Sequence, residues 1–387
     1  MQTFFEFIDE SMKLQRIVFL LAAIWLSNPV QHARSGSAQS AAPAEAPSLP
    51  KPAPKSGAVA YDPTKPATAP VPEVPKAVDV KPIDDKTGGT KPVGAEIQIP
   101  AATAVPFKRI GPVPVPSKTK SFIWEVKSST NVVYLFGTIH VGKRAFYPLP
   151  EQVETAFDNA TKLVVEADVS DQSAAGDVSE LISYKSPDTL DRHIPLPLFE
   201  RLKTQLLRLR MPVSAVLPMK PFVVGGFLSV VEFSRLGYDM NLGVDAYLIS
   251  RAKHAGKVIV ELESARAQLE LLNNMPADLQ EAFLDNAITT LETEKAADQV
   301  TGMVNAWQTG DTKLMADVTL EVNKGSRSGS RLDDILLYGR HDAMVKKIEG
   351  YLAGKEPHFV AVGSLHLVGP RGLVQVLKGK GYEVTQQ

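Results

Sequence analysis

Two histidines stand three residues after a glycine in matching settings. One is His140 in Phe136-Gly137-Thr138-Ile139-His140; the other is His366 in Val362-Gly363-Ser364-Leu365-His366. Each follows a run of strand-forming residues, Asn131 to Leu135 and Pro357 to Val362, and falls where a buried strand gives way to a loop. A neutral imidazole binds metal ions and exchanges protons near pH 7, and glycine at a strand end lets a backbone or ligand approach closely. If the two strands are neighbours in one sheet, the two imidazoles meet. Two further strand patterns, Lys162 to Asp168 and Lys257 to Glu263, carry Glu166 and Glu263 at or near their ends. Ligands of open parallel sheets bind beyond the carboxyl ends of the strands, so four residues of metal-ligating or proton-transfer type are expected on one rim.

Two imidazoles with a carboxylate suit a hydrolytic divalent metal. The carboxylate and water in such a set favour Mn or Co over a closed Zn site. The expected assignment is His140, His366 and Glu166 as metal ligands, Glu263 as general base or further ligand, and Arg340 as the cation that binds substrate or an oxyanion. Each has a plainer alternative. The histidines could be hydrogen-bonded core residues, Glu166 a helix cap or lysine partner, Glu263 a backbone-amide acceptor, and Arg340 a surface ion-pair residue. Asp245, at the start of a helix, reads most simply as a favourable charge near the positive end of the helix dipole. His193, His254, His341 and His358 lack the glycine context and read as structural or exposed; Trp124 and Tyr134 read as core.

The elements that must position these residues occupy only part of the chain. Lys13 and Arg16 precede the apolar run Ile17 to Leu26, followed by small residues through Ala38, the order of a secretory signal. The apolar run is about half the ~20 residues a helix needs to span a bilayer. Glu6, Asp9 and Glu10 suit a signal poorly, which makes Met12 an alternative start. Residues 1–38 are therefore read as the signal region. Residues 39–117, rich in Pro and Ala, bury too little apolar surface to offset ordering entropy and read as a disordered linker. Residues 118–387 are long enough for one large domain. With no cysteine among 387 residues, disulfides, thiol catalysis and a lipoprotein anchor are excluded. With 42 Lys and Arg against 43 Asp and Glu, composition gives no electrostatic case for nucleic acid. The expected protein is periplasmic or secreted, keeps no stable transmembrane span after signal removal, and acts on a peptide or small molecule.

Within the domain, strands are expected at 122–126, 132–136, 162–168, 257–263, 358–362 and 382–385, and helices at 149–161, 246–254, 269–307, 338–353 and 372–379. The first two strands form a hairpin, and the rest alternate with helices, which predicts an α/β fold with a mainly parallel central sheet.

These residues also resemble the TraB/GumN family, which is related to the Tiki membrane-tethered metalloproteases and, more distantly, to erythromycin esterase and ChaN-type haem-binding proteins. The likeness runs from about Phe122 to Val384 through Phe122-Ile123-Trp124-Glu125-Val126, the two G-x-x-H elements, Val164-Val165-Glu166-Ala167-Asp168, Gly243-Val244-Asp245, Leu262-Glu263-Ser264 with Gln268, and Arg340-His341-Asp342-Ala343-Met344. Where the family usually has asparagine after the arginine, this chain has His341. The resemblance implies an erythromycin esterase/ChaN-like fold, an active-site core at the paired G-x-x-H elements, and a metal-dependent hydrolase, a peptidase first. It leaves as alternative a noncatalytic envelope protein that binds haem or another small ligand, or serves polysaccharide biosynthesis.

Overall fold

The computed structural model describes residues 120–168, 170, 177–293, 296–319 and 327–387. The expected signal region (1–38) and linker (39–117) lie outside the described residues.

Six strands form one sheet: β1 (Ile123–Lys127), β2 (Val132–Thr138), β3 (Lys162–Val165), β4 (Val258–Glu261), β5 (His358–Gly363) and β6 (Glu383–Gln386). Their order is β4-β3-β5-β2-β1-β6. The pairs β4/β3, β3/β5 and β5/β2 are parallel, while β1 is antiparallel to both β2 and β6. The result is a mixed α/β sheet flanked by helices, parallel through its four-stranded core, with the expected hairpin at β1–β2. Central strands β3, β5 and β2 are nearly continuous runs of buried residues because helices cover both faces. Edge strand β4 is more open, and Val258 is exposed.

The hairpin is closed by Ser128, whose backbone N–H donates to the Asn131 carbonyl (3.0 Å) and whose Oγ accepts from the Asn131 N–H (3.0 Å). Asn131 Nδ2 then donates to the Tyr351 and Glu356 carbonyls, both at 2.8 Å. This side chain fixes the start of β2 to the loop leading into β5, so β2 and β5 lie side by side. Trp124 is buried, and Tyr134 is partly buried against the same core.

Two helical expectations need correction. The span 269–307 is not one helix: helices cover Ala265–Asn273, Ala277–Thr293 and Ala296–Thr309. Pro276 separates the first two, because it lacks a donor and disfavours the α conformation in the residue before it. The helix carrying Arg340 also does not begin at Tyr338. Helix Gly339–Leu352 continues backwards through a π-helical turn, Asp334–Tyr338, into Arg327–Asp333. Leu332, Leu336 and Leu337 are buried along this segment, and the wider turn absorbs the residue that a regular 3.6 period would place out of line. Gly339 accommodates the turn, since a Cβ there would lie 2.9 Å from the Asp334 carbonyl oxygen.

Candidate active site

Strands β2, β3, β4 and β5 run in one direction, so their carboxyl ends form one rim. His140 lies two residues beyond β2, Glu166 directly after β3, Glu263 two residues beyond β4, and His366 in the 3₁₀ turn Ser364–His366 after β5. The register pairs Gly137 with Val362 and Thr138 with Gly363, which sets the two G-x-x-H elements side by side. The turn after β4 is hooked to that after β3 by the Glu263 N–H donating to the Glu166 carbonyl at 2.8 Å. Lys347 Nζ donates to the Glu261 (3.1 Å) and Leu262 (2.8 Å) carbonyls and holds the end of β4 down.

Gly363 is the point of convergence. A Cβ built there would lie 3.2 Å from Glu166 Oε1, 3.5 Å from His140 Nε2 and 3.7 Å from His366 Cδ2. Its own N–H donates to Glu166 Oε1 at 2.7 Å. Glycine at this position thus leaves a small space lined by two imidazoles and a carboxylate, and the other two expected residues adjoin it through Glu166.

Arg340 ties the carboxylates together. Its Nε donates to both oxygens of Glu263 (2.9 and 3.0 Å), and Nη2 donates to Glu166 Oε2 (2.6 Å) and to Glu263 Oε2. Nη1 donates to the Leu336 carbonyl (2.9 Å) and to His366 Nε2 (3.1 Å). A guanidinium has five N–H groups, and here each faces an acceptor. Gln268 Nε2 donates to Glu166 and Glu263, both at 3.2 Å. The side chains of Arg340, Glu166 and Glu263 are 10, 12 and 16 % exposed, so this is a buried charge cluster and not the surface ion pair considered for Arg340.

His140 has a partner that sequence reasoning gave a lesser role. Asp245 Oδ2 is 2.7 Å from His140 Nδ1, and Asp245 Oδ1 accepts from Thr138 Oγ1 at 2.6 Å. Asp245 sits in the first turn of helix Val244–His254, whose Val244 N–H donates to the Ile139 carbonyl (2.9 Å) and docks the helix against the His140 loop. The Gly-Val-Asp spelling at a helix start was the available signal. On its own it looks like a favourable end charge, because only the fold shows which strand end the helix faces.

His341, read from sequence as structural or exposed, is buried and bonded to the site: its Nε2 is 2.9 Å from His366 Nδ1, and its Nδ1 is 2.9 Å from the Arg371 carbonyl. His193 pairs with Asp188 (2.8 Å) and stacks on Tyr184, and His254 contacts the Ser250 carbonyl; neither takes part in this cluster.

These surroundings set the protonation states. Burial lowers the pKa of His140, but the charge and hydrogen bond of Asp245, with help from Glu166, outweigh it and raise the pKa above its ordinary value. Burial pushes His366 well below its ordinary value, Arg340 adds to the effect, and Glu166 opposes it without prevailing. Burial likewise lowers His341. For Glu166, burial opposes charge, but His366, Arg340, His140 and the Gly363 N–H together hold the carboxyl far below the usual range. Arg340 contributes the permanent charge among them. At neutral pH Glu166 is thus a carboxylate beside the permanent charge of Arg340, with a neutral His366.

A divalent metal fits this set in kind. His140 and His366 each have Nδ1 engaged by a neighbour, the outer-shell arrangement of metal-ligating histidines, and His140 Nε2 and Glu166 Oε1 line the space over Gly363. It does not stand ready-made: among the described residues no three His, Asp or Glu side chains form a coordination group, and Arg340 already uses the His366 Nε2 lone pair.

A family model described as the TraB/PrgY/gumN family matches residues 122–386, the whole of the sheet and its helices. The chain belongs to this family. Similar proteins include the uncharacterized protein YbaP of Escherichia coli (strain K12), 29 % identical over 255 residues, a match covering 63 % of this chain and 87 % of that one. The metalloprotease TIKI homolog of Amphimedon queenslandica is 24 % identical over 325 residues, covering 69 % of this chain and 61 % of its own. Metalloprotease TIKI1 of Danio rerio is 22 % identical over 317 residues, covering 69 % and 63 %. No solved structure matches the chain significantly. Among the described residues, no helix is long and apolar enough to cross a membrane.

Proposed function

We propose that this TraB/PrgY/gumN member is a metal-dependent hydrolase, most simply a peptidase, working at the rim where the G-x-x-H strands end. The observation that carries this reading is the convergence of His140, Glu166 and His366 around the side-chain-free space over Gly363. The names of the TIKI relatives, metalloproteases, support a peptidase class and a metal requirement. The erythromycin esterase/ChaN likeness of the fold belongs to the same proposal, as does export to the periplasm or beyond, which rests on the order of charged, apolar and small residues in 12–38.

His140 and His366, through Nε2, and Glu166 would hold the ion, with Mn²⁺ or Co²⁺ favoured by the mixed nitrogen and oxygen donors. Such an ion would supply Lewis acidity toward the scissile carbonyl and acidify water. Asp245 keeps the His140 proton on Nδ1 and its Nε2 lone pair on the site side. Glu263 is the base or a further ligand, and Arg340 holds both carboxyl groups in place through its fork of N–H donors. Because Arg340 Nη1 is spent on His366, any ligand that takes the His366 lone pair releases this N–H. It is then the arginine donor available to a developing oxyanion.

The deciding experiment is turnover of a fluorogenic peptide library by protein purified without chelator and assayed with Mn²⁺, Co²⁺ and Zn²⁺. Cleavage that requires Mn²⁺ or Co²⁺ is expected. A stably folded wild type that binds none of these ions and cleaves nothing would overturn the proposal. Saturation of all five Arg340 donors favours the second reading, a noncatalytic envelope protein for haem, another small ligand or polysaccharide biosynthesis. That reading gains if the protein binds such a ligand without turnover.

Gly363→Ala tests the convergence itself. The backbone there (φ −50°, ψ 135°) suits alanine, so the melting temperature stays close to wild type. The added methyl enters the space between Glu166 and His140, and kcat/KM falls by about 10²-fold, as small misplacements of reacting groups do. Thermal melts beside peptide kinetics separate the two effects.

A further inference from the structure

His341 lies outside the residues given to ion or substrate above, yet it touches the site through His366. Its Nδ1 faces the carbonyl oxygen of Arg371, which can only accept, so that nitrogen carries a proton. The neutral ring then has a bare Nε2, which faces Nδ1 of His366 at 2.9 Å. At the far end, His366 Nε2 faces the Arg340 guanidinium, which can only donate. The two ends are independent constraints and they agree. With both rings neutral, a single proton arrangement satisfies these three hydrogen bonds: Arg340 N–H to His366 Nε2, His366 Nδ1–H to His341 Nε2, and His341 Nδ1–H to the Arg371 carbonyl; Glu166 Oε1 lies farther from His366 Nε2, at 3.6 Å. The opposite arrangement sets bare nitrogen against carbonyl oxygen at one end and N–H against N–H at the other.

We infer that His341 is a positioning residue: by accepting the Nδ1 proton of His366 it fixes that imidazole in one tautomer and keeps its Nε2 lone pair directed at the site. The geometry around His341 is suited to this. The two imidazoles are tilted by 54° with centroids 5.1 Å apart, which is edge contact and not stacking. Tyr338 packs against His341 at 89°. The Arg371 carbonyl that ends the chain is itself anchored, since the Arg371 side chain lies over the Tyr338 ring (3.9 Å) and donates to Asp334 Oδ1 (2.6 Å). Both of those partners belong to the π-helical turn before Arg340. The turn therefore fixes the two ends of the hydrogen-bond chain, Arg340 through the Leu336 carbonyl and Arg371 through Asp334 and Tyr338.

The tautomer assignment stands on hydrogen bonds alone, while its kinetic consequence rests on the hydrolase reading. Glutamine can set its carbonyl oxygen near the position of His341 Nε2, so His341→Gln keeps an acceptor for His366. His341→Leu keeps volume and burial but offers none. In ¹⁵N-histidine NMR at neutral pH, wild type and the Gln variant are expected to show His366 protonated at Nδ1 and bare at Nε2, whereas the Leu variant loses the hydrogen-bonded Nδ1 proton signal. With a cleaved peptide, the Leu variant loses about 10- to 100-fold in kcat, the range for outer-shell partners of an active histidine. KM changes little, and Gln restores most of the loss. A wild-type His366 protonated at Nε2 overturns the inference, as does a folded Leu variant with an unchanged His366 spectrum. If wild type cleaves no peptide, the hydrolase reading falls, and the NMR measurement still decides the tautomer. If the Leu variant does not fold, the wild-type and Gln spectra decide it.

Discussion

Asp245→Asn should all but abolish hydrolysis while leaving the fold in place. In the wild type, Thr138 Oγ1 donates to one Asp245 oxygen and His140 Nδ1 meets the other. Asparagine has one oxygen and one NH₂ for these two contacts, and with its oxygen toward the Thr138 hydroxyl it turns the NH₂ toward His140. That NH₂ can only donate, so the His140 proton moves from Nδ1 to Nε2, and the lone pair facing Gly363 is lost. Whether that lone pair receives a proton or a metal ion, the step that uses it stops. A decrease in kcat of about 10²- to 10⁴-fold is expected, the upper figure being that of the analogous substitution behind a catalytic histidine. His140→Ala should lose at least as much. The pH profile adds a sign. His140 protonates at a pH above its ordinary value of 6.5 because Asp245, aided by Glu166, outweighs burial. The acid limb of wild-type kcat/KM therefore falls at that raised value, and residual activity of the Asn variant falls at a lower pH. The energetic consequence runs the other way: the His140–Asp245 pair stabilises the fold below pH 6.5 and the contribution fades as pH rises through the folded value. An Asn variant with wild-type kcat and an unshifted acid limb would remove Asp245 from the mechanism.

Arg340→Met should be the most destabilising single change in the site. It leaves Glu166 and Glu263 buried and facing each other without their shared cation, and breaking a buried pair in this way costs about 3–5 kcal/mol. Lysine is a poor substitute, because one ammonium cannot reproduce a fork that serves Glu263, Glu166, Leu336 and His366 together. Urea unfolding at pH 7 measures the loss. Its pH dependence identifies the cause. The Glu166 carboxyl of the wild type is held far below its ordinary value of 4.5, so its contribution is complete above that value and is lost as pH falls toward the folded one. In the Met variant Glu166 loses its cation, takes up a proton more readily and is relieved by acid. The stability gap between wild type and variant should thus narrow from pH 7 toward pH 4. A gap that stays constant over that interval would show that the loss comes from packing.

The rim was legible in the sequence because it depends on local patterns. Buried runs marked the strands, and a parallel sheet puts their carboxyl ends together, so His140, Glu166, Glu263 and His366 were placed from spacing alone. What they touch was not legible. Asp245 reaches His140 across 105 positions by a helix docking onto a strand end, and neither element alone encodes that contact. His341 looked idle because its importance comes from the side chain it meets 25 positions later. The break at Pro276 was written in the sequence and its force underrated. The π turn before Arg340 was not, because its period differs from 3.6 only over Asp334–Tyr338, and packing of the flanking leucines decides it.

The strand order carries a consequence for how the molecule comes to exist. β5 lies between β2 and β3, which do not pair with each other, and β1 is flanked by β2 and β6. A chain emerging from the ribosome has made β1 to β4 and most of its helices before the strand that joins the two halves appears. Until His358–Gly363 arrives, β2 and β3 both present open, apolar edges, the kind that pair with other chains. Closing the sheet then joins residues hundreds of positions apart, which is slow. Assembly of the rim is accordingly late in biosynthesis, because Gly363, the centre of the rim, is the final residue of the strand that joins the two halves of the sheet, with only β6 to follow. A chain truncated before this strand lacks Gly363 and His366 and so cannot form the rim.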